Sequence, residues 1–324
     1  MAFTGAITLQ EAARSGSLTR IDQLLYDRFS IDNGGRDGLP TFYSVFPFED
    51  TPGSLSYKFR RTLALPNVAP RNMNENVAAD TKGQIEEVVE AFKIYETSTV
   101  IDVALLATDA GRQHMVEQSG LHFTALLQIY LTHVFKGDES STPAQVTGFQ
   151  ARLTGGQLIE AGSTNGGDAC SVAKVRQLID AVNGPNKVLF MSKGMSRRAD
   201  AAVSLAGVGG QVQIGVDTWA GKATAINGVP IVPVADFDGN DSILAFDEVG
   251  AGGATATAGS IYCVSLGGKG VTGQRNGLAA PRQVGEVGLE SSMRNKLLGL
   301  FGLALKTPKC AARLRGISDA AWVA

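Results

Sequence analysis

One long helix constrains this chain more than any other stretch. Residues 108–137 read TDAGRQHMVEQSGLHFTALLQIYLTHVFKG. Met115, Phe123, Leu126, Leu127, Tyr130 and Val134 recur at helical spacing and make one apolar stripe. Thr108 or Asp109 can cap the start, because either side chain accepts a bond from a free backbone N–H. Gly137 is expected to end the helix in the left-handed conformation, with Asp138 in the turn beyond it. A helix over 108–136 is roughly 40 Å long at 1.5 Å per residue. Gly111 and Gly120 lie inside it, each costing about 1 kcal/mol against Ala, so packing has to hold it.

The segments N-terminal to this spine read as arms and hairpins. Thr8-Leu9-Gln10-Glu11 fits a capping box for a short helix to about Arg14, and Ser17 caps a second helix with Leu18, Ile21, Leu24, Leu25 and Phe29 on one face. Both are too short to be stable alone, so they must dock on something, another chain included. Phe42-Tyr43-Ser44-Val45-Phe46 is read as a strand stopped by Pro47. Residues 54–63 alternate Leu55, Tyr57 and Phe59 with Ser56, Lys58 and Arg60, and residues 84–102 return the same way. Between them Pro66, Pro70 and several Asn mark irregular backbone. Residues 54–95 thus form a two-stranded excursion, marginal by itself and expected to lie on a neighbour.

The C-terminal side of the spine reads as mixed α/β. A helix over 170–182 buries Val172, Val175, Leu178 and Ile179. Lys187 to Met191 is a buried strand, Ser192 begins a turn, and a second helix is expected over 197–206. Strands are expected over 211–216, over 225–234 with Gly228-Val229-Pro230 bending it, over 260–266, and in the runs 297–305 and 310–317. No internal repeat and no domain linker is evident.

Charge and motif content exclude most site chemistry. Lys+Arg number 29 against 31 Asp+Glu, a net charge of -2, so the chain does not live by gripping nucleic acid. Three distant cysteines, Cys170, Cys263 and Cys310, suit a reducing compartment without a disulfide framework. No apolar run is long enough for a membrane span, and the start lacks a signal-peptide pattern, so a cytosolic product is expected. His114, His122 and His133 all lie on the spine, too far apart to share a metal, and are assigned to a surface or interface. Gly207-Val208-Gly209-Gly210 follows a helix and Gly267-Gly268-Lys269 lacks the rest of a phosphate loop, so neither is a nucleotide site. Asp236-Phe237-Asp238-Gly239-Asn240-Asp241 departs from a calcium loop and is read as a turn held by Asx bonds. Lys306, Lys309, Arg313 and Arg315 form a basic patch that faces phosphates, solvent or ion-pair partners on another subunit. No catalytic, cofactor-binding or metal residue is assigned, and no enzyme is expected.

Several stretches carry a resemblance together: Thr8-Leu9-Gln10-Glu11-Ala12; Phe46-Pro47-Phe48-Glu49; the run from Tyr57 to Arg61; Leu65-Pro66-Asn67-Val68-Ala69-Pro70-Arg71; the spine with Gly137-Asp138; Pro185-Asn186-Lys187-Val188-Leu189-Phe190-Met191-Ser192; Gly228-Val229-Pro230-Ile231 followed by Asp236; Ser260-Ile261-Tyr262; and Ala311-Ala312-Arg313-Leu314. In this order and spacing the chain resembles the tailed-phage major capsid proteins of the Hong Kong 97 fold, over nearly its whole length. The resemblance implies an α+β fold. Residues 1–40 would be an N-terminal arm. Residues 41–100 would hold an extended loop, its hairpin at about 54–95, lying over the neighbouring subunit. Residues 101–164 and 248–324 would be a peripheral domain built on the spine, and 165–247 an axial α/β domain meeting its copies at five-fold and six-fold centres.

The function so implied is assembly through pentamers and hexamers into an icosahedral shell around double-stranded DNA, contacted without sequence preference. The implied place is the virion, assembled in the host bacterial cytoplasm. The arm begins at once, so a separate scaffolding protein is implied, with a portal protein as a further partner. Members that crosslink join Lys to Asn between subunits. Lys58 and Lys82 are available, but spacing singles out no Asn, so no crosslink is expected and packing or a decoration protein would hold the shell. The alternatives are an encapsulin-like cellular compartment and, in another class, an α/β enzyme centred on residues 170–235.

Overall fold

The computed structural model describes residues 39–74, 82–202, 212–215, 222–276, 280–286 and 292–323. The two helices expected before residue 30 and the glycine run 207–210 lie outside the described residues. The first described element is a helix, α1 (Leu39–Val45), where the sequence suggested a strand. Helical spacing puts Phe42 and Phe46 on one face, their rings stacked at 4.7 Å, and the Phe46 N–H donates to the Phe42 carbonyl. Aromatic residues suit either state, and here burial of these rings decides.

Strand β1 (Phe48–Asp50) is followed by the hairpin strands β2 (Ser56–Ala64) and β3 (Gln84–Ala91), and then by β4 (Lys93–Asp102). The one-turn helix α2 (Val103–Leu106) leads into the spine helix α3 (Asp109–Lys136). Thr108 caps the spine, its hydroxyl accepting from the Gly111 N–H at 3.1 Å. Gly137 ends it, but with φ −62° and ψ 140°, not left-handed. Crowding explains the residue: a Cβ there would lie 2.2 Å from the Val146 carbonyl oxygen and 2.5 Å from that of His133.

The short helix α4 (Phe149–Arg152) and β5 (Leu158–Glu160) precede α5 (Val172–Ala181), β6 (Lys187–Ser192) and α6 (Lys193–Ala202). Helix α6 starts directly after its strand, four residues before the expected position. Asp241 supplies the reason, since its carboxylate accepts from the Lys193 and Gly194 N–H groups at 2.7 and 2.8 Å and holds the first turn. Strand β7 (Val212–Gly215) pairs with β8 (Lys222–Ile226), which pairs with β9 (Val229–Val234). The bent single strand expected over 225–234 is therefore a hairpin. Asn227 and Gly228 both take positive φ, 52° and 78°, as a two-residue turn of the tight type requires. The chain closes with β10 (Glu248–Val249), β11 (Ala256–Ser265), β12 (Val271–Arg275), β13 (Ala280–Glu286), β14 (Ser292–Leu305) and β15 (Ala311–Ile317).

Two large sheets result. In the five-stranded one, β14 is central: β4 lies antiparallel along one edge, β12 and β13 share the other, and β1 joins β12 in parallel. The eight-stranded sheet runs β5-β15-β11-β6-β9-β8-β7, with β10 also on β11. Its face carrying Leu189, Met191, Ile261 and Cys263 packs on α5 and α6. Its other face, with Val188, Phe190, Tyr262 and Val264, packs on α1 and the last turns of the spine. The spine's opposite side meets the five-stranded sheet: the Tyr130 ring lies 5.0 Å from that of Phe301, and its hydroxyl donates to the Gly302 carbonyl at 2.7 Å. The last turns of α3 are thus wedged between two sheets, and Leu131, Val134 and Phe135 are fully buried.

One ion pair sits inside the second sheet. Arg313 on β15 donates to Glu248 on β10 at 2.7 Å and to the Ser260 hydroxyl on β11 at 3.0 Å, and Ser260 in turn donates to Glu248. Both charged side chains are 5% exposed. Removing one partner strands the other in a low dielectric. Glu248→Gln is expected to cost about 3–5 kcal/mol, seen as a lowered urea midpoint, whereas Glu248→Leu combined with Arg313→Met should cost far less.

Candidate functional site

Among the described residues the features built to act outward are the hairpin and the root that holds it. Strands β2 and β3 form their own two-stranded sheet, from Ser56↔Ala91 to Ala64↔Gln84. Paired residues share a face, so Tyr57/Glu90, Phe59/Val88 and Arg61/Glu86 lie on one side, and Lys58/Val89, Arg60/Glu87 and Thr62/Ile85 on the other. Arg61–Glu86 at 2.6 Å and Arg60–Glu87 at 3.5 Å cross the strands. Exposed pairs of this kind stabilise weakly.

The root is held far more firmly. Arg152 from α4 grips Glu90 with two bonds of 2.5 and 2.8 Å, both partners mostly buried. Glu49 on β1 accepts from Lys306 at 2.5 Å, from the Tyr57 hydroxyl at 3.0 Å and from Gln274 at 3.2 Å, while the Lys306 ammonium lies 5.5 Å from the centre of the Tyr57 ring. Burial alone would raise the Glu49 carboxyl, but the bonds from Lys306, Gln274 and Tyr57 outweigh it and hold the group below its usual range. Burial would lower Lys306, and its bonds to Glu49 and Tyr57 raise it instead. Asp50–Arg275 and the Asn276 side chain, donating to the Ser54 carbonyl at 2.7 Å, complete the clamp. Beyond it the hairpin presents Leu55, Leu63, Leu65, Val68, Met73, Ile85 and Val89 to solvent, with Val68 84% and Met73 93% exposed. Contiguous exposed apolar side chains on a firmly held root are the chemistry of an interaction surface.

Of the residues singled out from sequence, Lys306 falls in the root and Lys58 and Lys82 on the hairpin, and the others lie elsewhere. Of the histidines, His122 bonds through Nδ1 to Thr97 at 2.7 Å and His133 to the Tyr95 hydroxyl at 2.9 Å, so two of the three tie the spine to β4. His114 is exposed. The basic patch does not exist as a unit: Lys306, Arg313 and Arg315 each turn to a carboxylate of the same chain, Glu49, Glu248 and Glu160, and Lys309 alone is exposed. Alternation along β15 sends Arg313 inward, which local sequence does not disclose. The Asp236 carboxylate accepts from the Asn240 N–H at 2.7 Å and from the Ser242 hydroxyl at 2.8 Å, so the turn is held by Asp side-chain bonds that reach four and six residues on. Gly267 begins the tight turn between β11 and β12. Lys58 and Lys82 are exposed on the hairpin. An open cavity of about 560 Å³ lies beside the end of α5, lined by Gln157, Asp180, Asn183 and Lys309 among others, with no Ser, Cys or His in its wall. The root itself was missed; its signal in the sequence, single carboxylates and cations 62 and 257 positions apart, cannot be paired without the fold.

Comparison with known proteins joins these parts. Residues 58–184 match the family model described as major capsid protein GP7, a span running from the hairpin through the spine to just past α5. The folded chain is similar to the capsid of a native GTA particle (TM-score 0.63, 12% identity, 88% of this chain and 93% of that one covered). It is also similar to the capsid of cyanophage A-1(L) (0.61, 14%, 89% and 95%). The fold is the Hong Kong 97-type capsid fold. The same fold relates the chain to the SrpI encapsulin of Synechococcus elongatus PCC 7942 (0.58, 11%, 86% and 88%). No curated protein matches in sequence.

The clamp has a pH signature. A carboxyl held below its ordinary value contributes stability that is complete above about pH 5, the ordinary range being near 4.3, and is lost as pH falls through the lowered value. The raised Lys306 contributes below the usual lysine range and loses its share only as pH rises through its raised value, so the acid limb belongs to Glu49. The protection factors of the amides across residues 54–60, taken against the intrinsic exchange rate at each pH, should therefore fall on acidification in the native chain. In Glu49→Gln the protection should be lower at neutral pH and nearly independent of pH over the same interval.

Proposed function

We infer that the chain is a structural capsid protein, a phage-type major capsid protein whose copies build a shell. The observation that carries this reading is the fold itself, matched along almost its entire length by capsids, with a clamped hairpin whose apolar side chains stand exposed. The family match to a major capsid protein favours a phage shell over an encapsulin compartment. The α/β block at 170–235, the core of the alternative enzyme reading, is part of the capsid fold and has a packing role.

In this reading residues 1–40 are the N-terminal arm, 41–100 the extended loop, 101–164 with 248–324 the peripheral domain, and 165–247 the axial domain. Copies meet as pentamers and hexamers and close an icosahedral shell around double-stranded DNA in the virion, after assembly in the host bacterial cytoplasm. A scaffolding protein, a portal protein and a decoration protein are the further partners. A near-neutral chain suits this work, because a shell that confines packed DNA gains nothing from gripping it. Affinity comes from many interfaces, each of standard size or more, about 1,200 Å² upward.

The test is negative-stain microscopy of the purified chain alongside sedimentation. Closed shells, tubes or isolated hexamers are the expected result. A chain that stays monomeric or dimeric, even with a scaffolding partner, overturns it.

A further inference from the structure

The eight-stranded sheet carries α5 and α6 on one face, and the outward side of this helical layer gathers charge of one sign. Helix α5 lies over β15, β11 and β5, and α6 over β6, β8 and β9. Both helices run the same way. Helix α5 ends where β6 begins, the Lys187 ammonium donating to the Ile179 carbonyl at 2.8 Å, and α6 starts directly after Ser192, where β6 ends. One short segment beyond β15 ties the two starts together. The Val172 N–H at the start of α5 donates to the Val323 carbonyl, and Arg198 of α6 reaches Asp319 at 3.1 Å.

At that end stand Lys174 and Arg176 on α5 and Lys193 and Arg197 on α6. Val172, Val175, Met195 and Ala199 turn inward to the sheet, so Arg176 and Arg197 face out, both exposed, with Lys174 and Lys193 part-exposed on the flanks. None of the four pairs with a carboxylate among the described residues. Cations elsewhere in the body behave otherwise: Lys136, Arg152, Lys306, Arg313 and Arg315 all end in ion pairs. The carboxylates at this end of the sheet are engaged, Asp241 on the first N–H groups of α6, Asp319 on Arg198 and Asp168 on Thr164. Lys174 and Lys193 sit in the first turns of their helices and Asp180 and Asp200 in the last, the reverse of the order a helix dipole favours. Helix stability therefore does not account for these cations. A second copy offers no matching acidic patch among the described residues. The exposed carboxylates outside ion pairs, Asp102, Glu117, Asp138, Asp180 and Asp238, come from five different elements and turns.

Resting on the shell reading, we propose that the outward side of α5 and α6, through Lys174, Arg176, Lys193 and Arg197, is where each copy touches the phosphate backbone of the enclosed duplex. Cations on a helix surface neutralise phosphates and release their counterions without reading bases. Four of them per copy leave the chain near neutral, so the contact is weak in one copy and is repeated over the whole shell.

The experiment titrates the full chain, kept below its assembly concentration, into a short fluorescent DNA duplex and follows anisotropy at several salt concentrations. The expected log affinity falls with log salt at a slope of about −3 to −4, four phosphates at about 0.9 each, and is equal for two duplexes of unrelated sequence. Replacing the layer's charges together, Lys174→Gln, Arg176→Gln, Lys193→Gln and Arg197→Gln, should weaken binding at least about tenfold and flatten the slope, with melting no lower than the parent's. A control removes the same charge elsewhere. Lys58→Gln, Lys82→Gln, Lys269→Gln and Lys309→Gln, all at exposed positions, should keep the affinity within about twofold. Equal loss in both variants makes net charge the cause and overturns the proposal. So does a parent that binds no duplex, or binds one without salt dependence. A layer variant that binds DNA like the parent but no longer assembles overturns it as well, because the layer then meets a neighbouring copy. A thiol places the face: the native cysteines are buried, and Arg176→Cys in filled particles should react with a bulky maleimide only after the shell is opened. Ready labelling of closed particles overturns the proposal. Failure of the parent chain to form any particle is the separate result that sinks the shell reading itself.

Discussion

The wedging of one helix end between two sheets is the constraint on which the rest of this molecule depends. Over its last turns the spine packs on both sheets and keeps only a narrow stripe, Ile129, Thr132 and Lys136, toward solvent. Phe135 touches Phe190 and Tyr262 of the eight-stranded sheet, and Tyr130 touches Phe301 of the five-stranded one. Burial of one such side chain contributes roughly 1.5–3 kcal/mol, and this junction buries a run of them. The same turns take α1, whose Tyr43 hydroxyl donates to the Leu127 carbonyl at 2.7 Å. The junction therefore fixes both sheets and the start of the hairpin relative to each other. The first half of the spine lies on one sheet only and is tied there by polar contacts such as His122–Thr97 and Asn295–Ser119.

From that junction the hairpin is positioned by charge. Glu49, Glu90 and Arg152 come from three elements and Lys306 from the residue just after β14, and their bonds are charge-assisted and partly shielded. The arrangement divides the described residues into a body with a large buried core and a limb with almost none. A limb with little core of its own gains stability from whatever binds it.

The elements legible in advance were those with strong periodicity: the spine with its Thr108 cap, the hairpin strands, and the helix–strand–helix block around Val175 and Phe190. The misreadings share a cause. Phe42-Tyr43-Ser44-Val45-Phe46 suits a strand by composition and became a helix because Phe42 and Phe46 fill one aromatic pocket at the junction. Gly137 looked like a left-handed cap and is instead a point of close approach to Val146. Asn227-Gly228 carried a hairpin signal that the neighbouring Pro230 obscured.

By itself the sequence determined the inventory: a spine too long for an ordinary globular helix, a marginal two-stranded limb, a balanced charge, and no assembled nucleophile, base or phosphate loop. Periodicity and capping act within a few residues, so such features are written locally. Only the tertiary structure decided what the charges do. Lys306, Arg313 and Arg315 read as one basic patch along the chain and became three separate ion pairs, because strand alternation and sheet order choose each partner from across the molecule. It also decided which face of β4 is covered and which is open, since that depends on where the spine lies and not on the alternation of β4 itself.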